Sequence, residues 1–366
     1  MTGYKTRLFW LYFRRSMWIF VSWVLISNFI FFIEYFSLVN DSYLTSDYDF
    51  KSAFTANMIV AVSAALIGGF LTLHVMTYWL RKYAFWKALT LLITTFTIVS
   101  IIVGNLGAAY KRSQEYGVSM LHPDVLEETT LFITSWVFIK NFLIWMFIVV
   151  ATLIVIMVND KYGPGVFLDY LRGRYFRPKR EKRIFMFADI KDATVIAEKL
   201  GEAKYFELLK SFFRDITPAI LQTKGEVYQY VGDEVVVSWK LQTGLKSHNA
   251  LSCYFTMVDD ILSKKQHYLD AFGLVPEFKV GFHYGPVMVG ELGQIKRDIA
   301  FSGDVLNTTA RIQASCNQLG TKILASSAFG DINSPLPEGI SMESLGPQML
   351  KGKSEAVEVV TFRYEN

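Results

Sequence analysis

Four apolar stretches, each long enough to cross a bilayer, constrain this chain more than any other feature. A hydrocarbon core about 30 Å thick needs about 20 apolar residues per helix, and residues 17–39, 56–80, 88–110 and 131–158 meet that length. The composition, 52% hydrophobic and 16% aromatic, is too apolar for one soluble domain of 366 residues. The apolar residues concentrate before about residue 158, and the remainder reads as an ordinary globular domain. The expected organisation is a membrane bundle over 1–158, a linker over 159–183 and a globular domain over 184–366. The first stretch is too long for a signal-peptide core and no small-residue cleavage site follows it, so it reads as an anchor.

Lys and Arg placement sets the expected topology. Lys5, Arg7, Arg14 and Arg15 precede the first span, and Arg81, Lys82 and Lys87 lie between the second and third. Arg172, Arg174, Arg177, Lys179, Arg180, Lys182 and Arg183 follow the fourth. The other two loops carry Asp41, Asp47 and Asp49, and Glu115, Asp124, Glu127 and Glu128. Both termini are therefore expected in the cytosol, with the chain multi-pass in an inner or plasma membrane. A net charge of +4 is too small to argue for nucleic acid. Cys253 and Cys316 lack metal-like spacing and read as reduced thiols.

Glu34, His74 and Lys140 fall inside the spans, where ionisable groups are costly and usually face a protein interior. Glu34 and Lys140 share the outer half and could pair; the readings are snorkelling, bracing of the bundle, or a sensor or ligand site. In the linker, Gly163, Pro164 and Gly165 break the fourth helix. Residues 166–175 then read as a short amphipathic helix, a passive tether or a coupling element.

From residue 184 strands and helices alternate. Strands are expected at 184–190, 226–231, 235–239, 278–283, 286–290, 298–302 and 322–325; helices at 202–221, 247–269 and 304–319. The hairpin signal is Gly232-Asp233-Glu234. The fold class is an all-α membrane bundle followed by an α+β, ferredoxin-like domain with a β-α-β-β-α-β core. Asp189 near the end of the first strand and Asp233 at the hairpin tip meet if their strands are neighbours. Two hard oxygen ligands suit Mg²⁺ or Mn²⁺ when phosphate oxygens complete the shell. Asn307 and Arg311, four apart on one helix, share a face and suit a charged phosphoryl group.

The run Phe187-Ala188-Asp189-Ile190 with Thr194, then Gly232-Asp233, then Gly281-Phe282-His283-Tyr284-Gly285 with Gly290, then Gly303-Asp304 with Asn307 and Arg311, resembles the class III nucleotide cyclases over residues 183–365. The resemblance implies an adenylate cyclase that converts ATP to 3′,5′-cyclic AMP and pyrophosphate with two Mg²⁺ or Mn²⁺ ions per site. It implies that Asp189, Asp233 and the carbonyl of Ile190 bind metal. Asn307 would position the ribose and Arg311 would neutralise the α-phosphate. The backbone of Asp192, Ala193 and Thr194 would receive the β- and γ-phosphates. In this family the metal pair and the Asn/Arg pair of one site come from different subunits, so a homodimer is expected.

Departures bear on the base. Members using ATP usually carry Lys and Asp or Thr where this chain has Gln229 and Ala300, and guanylate cyclases carry Glu and Cys. Gln229 can donate and accept; Ala300 has no polar side chain. GTP or a pyrimidine triphosphate stays open as substrate. Asp192 and Ala193 replace a common Gly-Phe, and Asp192 is expected to cap the following helix. A silent receptor or scaffold with this fold is the competing class, although none of the metal or Asn/Arg residues is lost. A transporter is disfavoured by the absence of internal repeats.

Overall fold

The computed structural model describes residues 2–40, 48–74, 84–162, 173, 175–295 and 298–365. The chain forms two compact units, Phe9–Lys161 and one whose body is Tyr162–Asn366. The sequence expectations at Asp41, Asp47, Arg81, Lys82, residues 163–172 and Arg174 lie outside the described residues, as do the side chains of Lys5, Arg7 and His74.

The first unit is helical: α1 (Thr2–Asn40), α2 (Phe50–His74), α3 (Phe85–Tyr116), α4 (Pro123–Phe132) and α5 (Trp136–Tyr162). Four of these are long and apolar enough to cross a membrane: Tyr12–Asn40, Phe50–Thr72, Leu89–Tyr116 and Trp136–Asn159, with mean hydropathies of 2.0, 1.9, 2.0 and 2.7. Outward-facing large side chains, among them Trp86, Trp136 and Phe147, are largely exposed. A surface that apolar needs an apolar surrounding. The fourth span starts later than the expected residue 131. The Thr134 and Ser135 hydroxyls bond the carbonyls of Leu131 and Phe132 at 2.9 and 2.6 Å and close α4. Ser135 Oγ then accepts from the Phe138 amide at 3.2 Å and opens α5. Inside the bundle, Trp23 is fully buried and donates to Thr152 Oγ1 at 3.0 Å. Glu34 and Lys140 do pair, at 2.7 Å, with both side chains about half exposed.

The second unit is an eight-stranded sheet with helices on both faces. In chain order it runs β1 (Lys179–Ile190), α6 (Ala193–Leu200), α7 (Glu202–Gln222), β2 (Glu226–Val231), β3 (Glu234–Lys240), α8 (Leu241–Leu245), α9 (Asn249–Ser263), α10 (Lys265–Phe272), β4 (Phe278–Leu292), β5 (Asp298–Ser302), α11 (Asp304–Ala314), β6 (Ile323–Ser326), α12 (Ser327–Ile332), β7 (Ile340–Gln348) and β8 (Val357–Tyr364). The strand order is β2-β3-β1-β4-β6-β8-β7, with β5 paired to β4. The first four of these strands, with α7 and the α9–α10 segment as crossovers, give the β-α-β-β-α-β core.

Burial on both faces explains why β1 reads as one apolar run. Ile184, Met186, Ala188 and Ile190 face Leu208, Phe212 and Ile216 of α7. Phe185 and Phe187 face the other way, in a core with Val236, Val289 and Val305.

Three expectations change. Residues 278–283 and 286–290 are one strand, because β4 pairs with twelve consecutive residues of β1 straight through Gly285 and Pro286. The helix expected over 247–269 is broken at Lys264. The helix expected over 304–319 ends at Ala314, and turns carry the chain to Gly320.

Candidate active site

Asp189 is the penultimate residue of β1, in the middle of the sheet. The hairpin β2–β3 closes through Gly232 and Asp233, with Val231 opposite Glu234. Gly232 has φ +63°, a left-handed conformation that glycine adopts without penalty. Because β3 is the neighbour of β1 and Glu234 lies opposite Asp189, the turn delivers Asp233 to the end of β1. The two carboxylates lie close enough for Asp189 to feel Asp233. They meet at the end of a central strand and not at an edge of the sheet.

The register builds a row across three strands: Glu234, Asp189 and Lys279 are directly opposed on β3, β1 and β4. Lys279, nearly buried, places Nζ 3.7 Å from Asp189 Oδ2. Gln313 of α11 donates Nε2–H to the same oxygen at 3.3 Å. Burial and the adjacent Asp233 push the Asp189 carboxyl up to about 6, against the pull of Lys279 and Gln313. Glu234 rises to about 7 through burial and the charges of Asp189 and Asp233. Tyr205 on α7 rises to about 12, from burial and then the same two aspartates.

Crowded, half-buried carboxylates of this kind are relieved by a divalent cation. Among the described residues no three His, Cys, Asp or Glu side chains form a complete cage. Asp189, Asp233 and the Ile190 carbonyl therefore fit Mg²⁺ or Mn²⁺ as a partial donor set that phosphate oxygens complete. Glu234, Lys279 and Gln313 escaped the sequence reading, because only the strand register and the helix phase bring them to Asp189.

Asn307 and Arg311 lie on α11, Asn307 exposed and Arg311 half-buried. At about 100° per residue, Gln313 lies about 160° around the helix from Arg311 and about 120° from Asn307. One helix thus presents Gln313 to the chain's own carboxylates and turns Asn307 and Arg311 away from them. Gly281 permits this docking: a methyl group there would meet the Gln313 backbone nitrogen at 2.5 Å.

Gln229 follows a bulge in β2, where the register shifts between Val227 and Gln229. The bulge leaves Tyr228 and Gln229 together opposite Val236, so both share the face that carries α11. Tyr228 packs edge-on to Phe301, 4.8 Å between centroids, which brings β2 to β5 beside Gln229 and Ala300. Ala300 pairs with Gly290, on the side of β5 away from Phe301.

Asp192 does not cap α6 with its side chain. It holds φ 57°, ψ 30°, a left-handed conformation that a short polar residue tolerates, and its carboxylate is exposed. Ala193 and Thr194 begin α6 directly behind it.

Residues 178–363 match the family described as adenylate and guanylate cyclase catalytic domain. Adenylate cyclase 2 of Rhizobium meliloti (strain 1021) is 30% identical over 207 residues, 57% of this chain and 57% of that protein. Adenylate cyclase 1 of the same organism is 27% identical over 184 residues, 49% of this chain and 27% of that protein. The match thus spans about half, or less, of these relatives' lengths. Among solved structures, a bacterial light-regulated adenylyl cyclase aligns with a TM-score of 0.52 and 22% identity, covering 63% of this chain and 67% of that one. That likeness is one of fold. The chain belongs to the adenylate and guanylate cyclase family, and its catalytic domain is the second unit.

Proposed function

We propose that this chain is a membrane-bound nucleotide cyclase that works as a homodimer and converts ATP to 3′,5′-cyclic AMP and pyrophosphate. The observation that carries the reading is the two-sidedness of α11: Gln313 donates to Asp189 of its own chain while Asn307 and Arg311 lie on another face of the helix. A two-fold pair of copies would complete two equivalent sites, each with Asp189 and Asp233 from one copy and Asn307 and Arg311 from the other. The four apolar helices, with basic residues at the ends expected to face the cytosol, support a membrane location with both termini cytosolic. Glu34 and Lys140 would lie in its outer half as an intramembrane pair.

Asp189, Asp233 and the Ile190 carbonyl would hold Mg²⁺ or Mn²⁺, two ions per site by family resemblance. Such ions neutralise triphosphate charge and acidify the ribose 3′-hydroxyl. The chain's own residues do the rest. Gln313 and Lys279 both engage Asp189 Oδ2 and so orient the carboxylate that would hold the cation. The backbone amides of Asp192, Ala193 and Thr194 receive the β- and γ-phosphates at the start of α6. Asn307 of the second copy orients the ribose so that its 3′-oxygen lies in line with the α-phosphorus. Arg311 neutralises the charge that develops there as pyrophosphate leaves, a role whose loss costs about 3–4 kcal/mol of barrier. Gln229 reads the base edge by donating and accepting.

Ala300 supports a second reading of specificity, because its methyl group cannot discriminate a purine amino group from a carbonyl. GTP or a pyrimidine triphosphate then competes with ATP. The test incubates the full-length protein in lipid nanodiscs with Mn²⁺ and each triphosphate in turn and identifies the cyclic product by mass spectrometry. Cyclic AMP as the main product is expected; a different cyclic nucleotide moves the assignment to the second reading, and none at all rejects the enzyme.

A further inference from the structure

The turn joining β7 to β8, residues 349–356, is fastened to α11 at three points. Leu350 is buried with Ile312, Cys316, Leu324 and Val359. Gly352 lies against Arg311: a methyl group there would meet Nη2 at 3.3 Å and Cζ at 3.7 Å. Its φ of +71° further restricts the position to glycine. Lys353 forms an ion pair with Asp304 Oδ2, the oxygen that also accepts from the Thr308 hydroxyl at 3.1 Å.

Asp304 is the first residue of α11, so the turn grips the helix at its start and again at Arg311. His283, near enough to feel both charges, has its Nδ1 2.7 Å from Ser326 Oγ. Burial, then the nearby Lys353 charge, pushes its imidazole down to about 4. The carboxylate of Asp304 is thus the charged partner that Lys353 meets. The Asp304 side chain is 68% exposed, and an ion pair that open adds little to global stability. What it fixes is where the turn sits.

We infer that the Asp304–Lys353 pair is a latch that holds the 349–356 turn on α11 and thereby positions the Arg311 guanidinium. This rests on the reading of Arg311 as the charge-neutralising group. Asp304 and Lys353 are positioning residues that act through Arg311.

The test measures kcat and KM of the full-length protein with Mn²⁺ and its preferred triphosphate for Lys353→Met, Asp304→Asn, the double variant and Lys353→Arg. A latch predicts a kcat loss of about tenfold in each single variant with KM within about twofold, short of the ~10²-fold that a 1 Å misplacement costs. The double variant falls no further than the worse single, and Lys353→Arg recovers most of the rate. If Asp304→Asn keeps wild-type kcat while Lys353→Met loses it, the lysine acts on the nucleotide itself and the latch is overturned. Losses that multiply in the double variant overturn it too.

A second measurement needs no turnover. Phenylglyoxal labelling of Arg311, followed by mass spectrometry, should quicken about threefold or more in Lys353→Met as the turn lifts. An unchanged labelling rate sinks the latch. If the wild-type protein makes no cyclic nucleotide but Lys353→Met still labels faster than wild type, the latch stands and the function it was thought to serve falls.

Discussion

The two faces of α11 do opposite work. Its inward face is fixed by packing: Val305, Thr309 and Ile312 are buried, and Gln313 reaches Asp189. Its outward face carries Asn307 and Arg311 and depends on a surface turn for its shape. Where sheet register and core packing decide a side chain's position, the geometry of one copy is sufficient. Where the helix faces outward, the geometry needs something else to meet it. In the proposed pair, the chain would hold the acidic half of a site ready-made and offer the basic half to its twin.

The largest expected effect follows from that division. Asp233→Ala and Arg311→Ala should each abolish cyclase activity when expressed alone. Co-expressed, they should recover about a quarter of wild-type activity, since half of randomly formed two-fold pairs carry one intact site of two. No recovery from the mixture, with both variants folded and associated, would break the comparison, because both halves would then belong to one copy.

Next comes Gly281→Ala. A methyl group 2.5 Å from the Gln313 nitrogen and 2.7 Å from its Cα must push α11 off β4. Overpacking against backbone should cost about 3 kcal/mol or more, read as a lowered denaturant midpoint. A midpoint matching wild type would show that the inward face is not held by close approach. Gln313→Ala is milder. Freed Oδ2 leaves Asp189 less well oriented, and loss of such a supporting hydrogen bond typically costs 10–100-fold in metal affinity or activity. The Mn²⁺ concentration for half-maximal rate should rise, while Asn307→Ala should leave it in place.

The smallest effect sharpens the inward face alone. Asp189 and Glu234 are held at about 6 and about 7, above their ordinary 3.8 and 4.5. The folded unit therefore keeps protons that the unfolded chain releases, and the stability from these groups is complete below about pH 4 and lost as pH rises through about 6–7. Thermal melts without divalent cations should show the melting temperature falling over that window. Saturating Mn²⁺ should reverse the trend by taking the protons' place. A metal-free melt that ignores pH would mean the carboxylates are not crowded as described.

Much of this was legible in the sequence, and the exceptions share a cause. Asp189, Asp233 and the hairpin between β2 and β3 came from local signals: an apolar run ending in an acid, and a Gly-Asp turn. The continuous β4 did not, because Gly285-Pro286 reads locally as a turn and only pairing with β1 overrides it. Lys279, Glu234 and Gln313 were invisible for the same reason, since nothing near them in the chain mentions Asp189. Asp192 misled in the opposite direction: its residue type favours a helix cap, but the backbone there turns left-handed and carries the side chain outward. The strands β7 and β8 were not anticipated at all, although the turn between them touches Arg311. The start of α5 was placed early, because hydroxyl-to-carbonyl bonds at Thr134 and Ser135 are not visible as a loss of hydropathy.

In the proposed two-fold pair, one helix would serve one reaction centre through Arg311 and the other through Gln313, like a see-saw. Any small tilt that pressed the guanidinium toward nucleotide on one side would have to strain the packed Gln313–Asp189 contact on the other. Such coupling would make the two sites compete, and nucleotide titrations should then give a Hill coefficient below about 1.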